Sequence, residues 1–502
     1  MKYLLNSEWE LFVVFFLIIT LFLGLADFLL KKLKIHPHTT RRIVHILVGI
    51  LVCTAPFIFE SFLPPVALAI IFIIINSLTL KGNKLKGIHY TERVSYGTIY
   101  FPISFAILVL WFWEKDAAIL LTAMLIMSFG DPIASWVGES VKNPKLFKIW
   151  SDKKSIQGST AMFIVSFIVA SIGMFVFRKL LENPISISTA VIFGIFTAFF
   201  ATIAETISHK GTDNLMVPLG AGVILDFLYH SPQEMQIQLI SWMIITTAIA
   251  IIAYKVKSLS LDGAVGAWML GTIVFGIGGM EWMLPMILFF VIASILSKLG
   301  SEHKHILKDI FEKTGKRDFS QVFANGGLAV ITTLLFYFTK SDIWYIVYLG
   351  AVAAAMSDTC GTELGTFSKR LPRNILNFKK LPMGASGGIT FLGTAGAFLG
   401  SLIIATSGIL IYNYYNSDNL SNSLIIWITV AGLFGMLVDS ILGLTIQAQY
   451  KCPSCKKVTE KIFHCQIENL PLIRGIKWFN NDVVNFSCTF AGGIFVIILY
   501  LF

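Results

Sequence analysis

The chain has 502 residues, 56% of them hydrophobic and only 14% charged, with a formal net charge of +10. That balance excludes a soluble globule and describes an integral membrane protein with no soluble domain of ordinary size left over. The cations sit in short loops between apolar segments, as membrane topology requires, so nucleic acid is not an expected partner. The first apolar run, Leu11 to Leu30, is about as long as a bilayer is thick, about 20 residues, and no small-residue cleavage site follows it. It reads as a retained helix. Apolar runs separated by short loops give about 16 spans by the same criterion. The first eight lie at approximately 11–30, 43–60, 64–80, 97–113, 117–137, 157–178, 188–207 and 215–230. The second eight lie at approximately 237–254, 262–280, 284–299, 321–338, 343–362, 385–412, 424–446 and 483–502.

Loops after odd-numbered spans are basic, for example KKLKIHPHTTRR at 31–42 and FSKRLPRNILNFKK at 367–380, whereas those after even-numbered spans are short and poor in cations. The positive-inside rule then puts both termini outside and every motif-bearing loop in the cytosol.

The two halves repeat one order of features. In the first, span five ends in Ser128-Phe-Gly-Asp131, a basic loop follows, and Lys154-Ser155-Ile-Gln-Gly158 opens span six; span seven holds Glu205, and Asp213-Asn214 precedes span eight. In the second, Asp358 ends span thirteen, a basic loop follows, and Gly384-Ala-Ser386-Gly387-Gly388 opens span fourteen; span fifteen holds Asp439, and Asn481-Asp482 precedes span sixteen. Asp131 to Gly158 is 27 positions and Asp358 to Gly387 is 29; Gly158 to Glu205 is 47 and Gly387 to Asp439 is 52. The expected fold is therefore an all-α polytopic membrane protein of two parallel eight-helix repeats, residues 1–235 and 236–502. An even number of spans per half argues against the inverted repeats of many transporters.

Each half offers acids, cations and a glycine turn on one side of the membrane. Phosphoryl transfer needs divalent metal, cations for the remaining phosphate charge and a fixed acceptor, with little covalent work from the protein. Asp131 and Asp213, and in the second half Asp358 and Asp482, are read as ligands of Mg2+, an oxygen-seeking ion. Glu205 and Asp439 complete the catalytic sets, at the metal or near the acceptor. Structural readings compete with these. An acid can cap a helix or pair with a loop lysine, and topology alone demands loop cations. Lys153, Lys154, Lys210 and Lys380 stand out only because they adjoin the glycine or acid motifs. Ser155, Gly158, Gly384, Ser386, Gly387 and Gly388 are candidate phosphate-cradling positions. Arg41, Arg42 and His45 form a cationic start to span two, and Asp262 and Asn325 occupy comparable starts of spans ten and twelve. No Walker A pattern exists, which excludes a P-loop kinase. Cys452-Pro-Ser-Cys455 with His464-Cys465 carries half of a zinc signature, within a 447–482 loop, and is a candidate structural Zn2+ site.

These motifs also carry a resemblance. Through RRIVH, SFGDPIASWVGE, KKSIQGS and ETISHKGTDNLMVPLG, residues 1–235 resemble the membrane kinases of lipid alcohols, which include phytol kinase, dolichol kinase and a CTP-dependent diacylglycerol kinase. Through SLDGAVGAWMLG, QVFANGG, MSDTCGTELG, LPMGASGGITFLGT and NNDVVNF, residues 236–502 resemble the membrane family that includes phytyl-phosphate kinase, departing from it in the 452–465 cysteine module. The resemblance implies a bifunctional salvage enzyme. A prenol such as phytol, geranylgeraniol or farnesol would become its monophosphate in the first half and its diphosphate in the second, with CTP as donor. Asn214, Asn481 and Asn485 are further candidate nucleotide or substrate positions, and a bacterial inner membrane is the expected location. A lipid cytidylyltransferase making a CDP-activated lipid, and a membrane transporter, remain the alternative classes.

Overall fold

In hydrocarbon every backbone N–H and C=O must be satisfied within its own segment, so the apolar runs fold as helices. A computed structural model describes residues 7–82, 95–148, 153–181, 183–299, 316–383, 385–417 and 419–501. Among them the long helices are α1 (Glu8–Lys32), α2 (Pro37–Cys53), α3 (Leu63–Lys81), α4 (Gly97–Phe112), α5 (Ala117–Ser140), α6 (Ile156–Leu180), α7 (Ile187–Ile207) and α8 (Asp213–His230). They continue as α9 (Gln233–Lys255), α10 (Leu261–Gly278), α11 (Met280–Leu299), α12 (Phe319–Thr339), α13 (Ile343–Gly365), α14 (Phe391–Tyr415), α15 (Leu424–Thr445) and α16 (Asn481–Leu501). The chain is an all-α polytopic membrane protein. Fourteen described helices are long and apolar enough to cross a bilayer. The two predicted spans outside that number differ for physical reasons: α4 has only 16 residues, and α8 carries Asp213, Asp226 and His230.

Two compact units, Met1–Pro232 and Gln233–Phe502, divide the chain. In the first, α5 is the central helix, buried nearly all round from Ala118 to Met127, with α2, α6 and α8 against it. Outward-facing Leu17, Leu21, Ile74 and Ile172 on the peripheral helices are exposed, as lipid-facing positions should be. In the second, α13 is central, buried from Tyr345 through Ser357. Its polar tyrosines are satisfied inside: the Tyr345 hydroxyl donates to the Gly408 carbonyl at 2.9 Å and the Tyr348 hydroxyl to the Trp282 carbonyl at 2.5 Å. Gly393, Gly396 and Gly400 let α14 lie directly on α13; a Cβ at Gly400 would stand 2.8 Å from Cys360 Sγ.

Short strands trim the helix ends. β1 (Leu146–Lys148) pairs antiparallel with β2 (Lys153–Ser155), bringing Leu146 opposite Ser155. β3 (Arg373–Asn374) pairs with β4 (Gly388–Ile389), and β5 (Gln449–Lys451) lies between β6 (Val458–Thr459) and β7 (Leu472–Arg474).

At the end of the first unit formed by the start of α5 and the ends of α6 and α8, a buried ionic network holds three helices. Arg178 pairs with Asp116, and its guanidinium stacks 3.3 Å from the Tyr229 ring centroid. His230 bridges Asp116 at 3.3 Å and Asp226 at 2.9 Å, and Lys115 reaches Asp226 at 2.8 Å. Removing one member leaves a buried charge uncompensated, at a cost of about 3–5 kcal/mol. Arg178→Met is therefore expected to lower the melting temperature of the purified protein by roughly 10 °C, read by thermal unfolding in detergent. A shift within 1–2 °C, or roughly 0.5 kcal/mol, would show that the network contributes little.

Candidate functional site

The helices alternate in direction, so the starts of α2, α4, α6 and α8 and the ends of α5 and α7 meet at one end of the first unit. There they enclose a cavity of about 440 Å3. Its lining contains Asp131, Glu205, Asp213, Arg41, Arg42, His45, Lys153, Lys154, Ser155, Gly158 and Lys210 together. Asn214 follows Asp213 and donates to its Oδ1 at 2.8 Å. Pro132, directly after Asp131, has no N–H to continue the α5 ladder, which frees the Ser128 carbonyl from its helical partner.

Local contacts refine several expected roles. Lys154 is ion-paired with Glu205. Burial works against the Lys154 ammonium, but the Glu205, Asp213 and Asp131 carboxylates more than offset it and hold its pKa above the ordinary lysine value. Glu205 Oε2 is buried without a hydrogen-bond partner. Ser155 caps α6, its Oγ accepting from the Gly158 N–H at 3.1 Å, so that N–H is committed to the cap and Gly158 serves close packing. A Cβ there would stand 3.0 Å from the Ala134 carbonyl oxygen. Lys210 and Gly211 lie at φ 51° and φ 90° in the turn before α8, and the Lys210 carbonyl accepts from Tyr96 N–H at 2.8 Å. A Cβ at Gly211 would run into the Gly97 backbone, so glycine is required. Sequence reasoning missed His38, Ser135 and Glu139: Glu139 accepts from Arg42 at 2.5 Å and faces His38 at 3.0 Å. Its spacing from Asp131, two helical turns, was the available signal.

An apolar groove adjoins this cavity. Ile19, Leu23, Val48, Leu68, Phe72 and Phe105 line it, and Arg41 and His45 belong to both linings. His45 packs edge-on against Phe101 at 4.8 Å, and its Nε2 is buried without a partner.

The second unit also has a polar cavity beside an apolar groove, with different polar chemistry. A cavity of about 320 Å3 is lined by Asp358, Asp439, Asn325, Ser386, Gly387, Gly388, Asn481 and Asn485. It also contains Arg317, Gln321, Glu363, Gln447 and Glu460, which sequence reasoning missed. Arg317, Gln321 and Asn325 are shared with an apolar groove lined by Ile249, Leu270, Phe275, Met286 and Phe290. Asp439 Oδ2 is buried and unpartnered.

Four expectations are corrected here. Asp482 is not in the lining; Asn481 and Asn485, one turn apart, face the cavity, and the next position on a helix points about 100° away. Lys380 is exposed, bridged antiparallel to Arg373, and outside the lining. Asp262 is a structural clasp, accepting from Ser260 Oγ at 2.5 Å and from Phe319 N–H at 3.0 Å, which ties the starts of α10 and α12. Ser386 donates to Glu460 at 2.8 Å, so its hydroxyl proton is committed to that acid. Gly384 lies outside the described residues.

Among described residues, the first cavity sets Arg41, Arg42, Lys153, Lys154 and Lys210 against Asp131, Glu139, Glu205 and Asp213. The second sets Arg317 alone against Asp358, Glu363, Asp439 and Glu460. Both donor sets are oxygen-rich and fit Mg2+. Separately, Cys452, Cys455, His464 and Cys465 bring four ligand atoms within 4.8 Å of one another.

The fold and its cavities define a polytopic membrane protein with two sites, each joining a charged chamber to an apolar groove. Residues 244–493 match the family described as Integral membrane protein DUF92, and the chain belongs to that family. It is 31% identical over 271 residues to Protein PGR of Arabidopsis thaliana, covering 50% of this chain and 92% of that one. An uncharacterized membrane protein of Methanocaldococcus jannaschii is 27% identical over 268 residues, covering 53% of this chain and 96% of the relative. The phytol kinase of Synechocystis sp. is 28% identical over 204 residues, covering 39% and 82%. No solved structure matches the chain.

Proposed function

We propose that the chain is a membrane phosphotransferase acting twice on an isoprenoid alcohol such as phytol, geranylgeraniol or farnesol. The first unit makes the monophosphate and the second the diphosphate, with a nucleoside triphosphate, CTP by preference, as donor. The similarity to a phytol kinase supports the substrate class. The observation that carries the reading is the junction of an acid- and cation-lined cavity with an apolar groove in each unit, a shape suited to an amphiphile whose head reacts while its chain stays in an apolar slot.

The two junctions differ as the two acceptors would. A prenol brings a neutral hydroxyl, and the first junction offers His45 with a free Nε2. There the hydroxyl oxygen attacks the terminal phosphorus, the bond from that phosphorus to its bridging oxygen breaks, the nucleoside diphosphate departs, and the hydroxyl proton passes to His45. A prenyl monophosphate brings an anion already able to attack, and the second junction offers the Arg317 guanidinium with the Gln321 and Asn325 amides. Asp131 and Asp213 in the first unit, and Asp358 with Glu363 or Glu460 in the second, would hold Mg2+, which when bound neutralises phosphate charge. Lys154, ion-paired with Glu205, would meet the donor's phosphates.

The test is product analysis by mass spectrometry with purified protein in liposomes, prenol, CTP and magnesium. Prenyl monophosphate and diphosphate with release of CDP are expected. Pyrophosphate with a CDP-lipid would make it a cytidylyltransferase, and no turnover of CTP, UTP, GTP or ATP with any prenol would favour a transporter.

A further inference from the structure

The segment between α15 and α16 reaches into the second cavity. Glu460, at the end of β6, is buried, belongs to the cavity lining and accepts from Ser386 Oγ at 2.8 Å. Gln449 on β5 donates to the same hydroxyl at 3.3 Å. Two side chains of this segment thus hold the turn that carries Gly387 and Gly388.

What holds the segment itself is not a hydrophobic core. Its buried cluster is only Ala448, Tyr450, Cys452 and Leu470, with Ile467 against it, far less than a small module needs without a staple. Lys456, Cys465 and Gln466 all sit at positive φ without being glycine, a cost borne only when something fixes the loops. That something is signalled by the four-ligand cluster. The Cys452 and Lys457 backbones form a tight turn, Cys452 N–H donating to the Lys457 carbonyl at 3.0 Å and Lys456 N–H to the Cys452 carbonyl at 2.9 Å. His464 and Ile467 exchange backbone hydrogen bonds of 3.2 and 3.0 Å in a second turn. Between these turns Cys455 Sγ stands 3.6 Å from His464 Nδ1. A tetrahedral zinc with bonds of about 2.3 Å to sulfur and about 2.0–2.1 Å to nitrogen has an S-to-N edge of about 3.6 Å. The three cysteines are free of disulfides, and three thiolates with one imidazole form a closed structural zinc set.

We infer that Cys452, Cys455, His464 and Cys465 bind one zinc ion, and that this zinc-held clasp positions Glu460 and, through Ser386, the glycine turn of the second cavity. The clasp thereby supplies an acid to a cavity in which α16 presents Asn481, where α8 of the first unit presents Asp213. Glu460 is a positioning and ligand-holding residue delivered from outside the helices.

The experiment uses the full chain purified under reducing conditions, with elemental analysis and hydrogen exchange as readouts, so its outcome is independent of any kinase activity. About one zinc per chain is expected, lost in Cys455→Ser and Cys465→Ser. Stripping zinc with a chelator should speed amide exchange about tenfold or more in 449–474 and also in 385–390, leaving the helices of the first unit unchanged. Glu460→Gln should keep the zinc yet loosen 385–390. Absence of zinc from reduced protein overturns the proposal, and so does bound zinc whose removal leaves 385–390 unaltered.

Discussion

Asp131→Asn is expected to abolish formation of both phosphorylated products from a prenol, while added prenyl monophosphate is still converted to diphosphate. The substitution keeps the size of the side chain and removes its negative charge, so the cavity keeps its shape and would lose the proposed ligand for the cation that accompanies the triphosphate. Loss of one preorganised electrostatic partner at a transferring group costs roughly 2.7–4 kcal/mol, or about a hundred- to a thousandfold in rate. Asp358→Asn should show the complementary result: monophosphate accumulates at the wild-type rate and diphosphate falls by a similar factor. The paired outcome follows because each acid lines a cavity of its own unit. Mass spectrometry of products over time, with prenol and then prenyl monophosphate as the starting substrate, separates the two steps. If both variants turn over both substrates like the wild type, neither acid belongs to the reaction.

The sequence exposed most of the first cavity because its residues share one property: they lie at the same end of alternately directed helices. Arg41, Lys154, Glu205 and Asp213 each adjoin a basic loop, and Asp131 lies in the C-terminal half of α5 before one, so the alternation that sets topology also predicts which ends meet. Glycine signals were less faithful. Gly158 looked like a phosphate cradle, but its N–H is taken by the Ser155 cap, and a cap and an anion nest share one sequence pattern. Register was the limit at α16. Asp482 and Asn481 differ by one position, which in an extended reading is nothing and on a helix decides whether a side chain meets the cavity. Arg317 was hidden among loop cations that topology already explained, although it lies beside the Asp318 cap of α12. Glu460 gave no signal, since it enters from a cysteine segment whose contact with Ser386 only folding creates. The Arg178–Asp116 network was equally hidden, because its partners stand 62 positions apart on separate helices.

Arg317 also sets the second large effect. In the first cavity five described cations would share the phosphate charge on the proposed reading, so removing one that projects from the exposed turn, as in Lys210→Met, should lower the first step only a few-fold, equivalent to about 1 kcal/mol. In the second, Arg317 is the one described cation in the lining, and it lies where cavity and groove join. Burial pulls its pKa below the ordinary arginine value and the Glu363 carboxylate opposes that shift, so the guanidinium remains charged at neutral pH. Truncating a desolvated charge partner costs about 2–5 kcal/mol. Arg317→Met should therefore reduce kcat/KM for prenyl monophosphate by about a hundredfold or more, chiefly through KM, with Arg317→Lys restoring part of it. The first step should be untouched. Because the second cavity has fewer cations to offset its acids, its rate should also rise more steeply with magnesium than that of the first, measured by titrating Mg2+ at fixed nucleotide with each acceptor in turn. Equal magnesium dependence together with an unchanged KM in Arg317→Met would mean that the monophosphate is held elsewhere, and the order of the two units would have to be reversed.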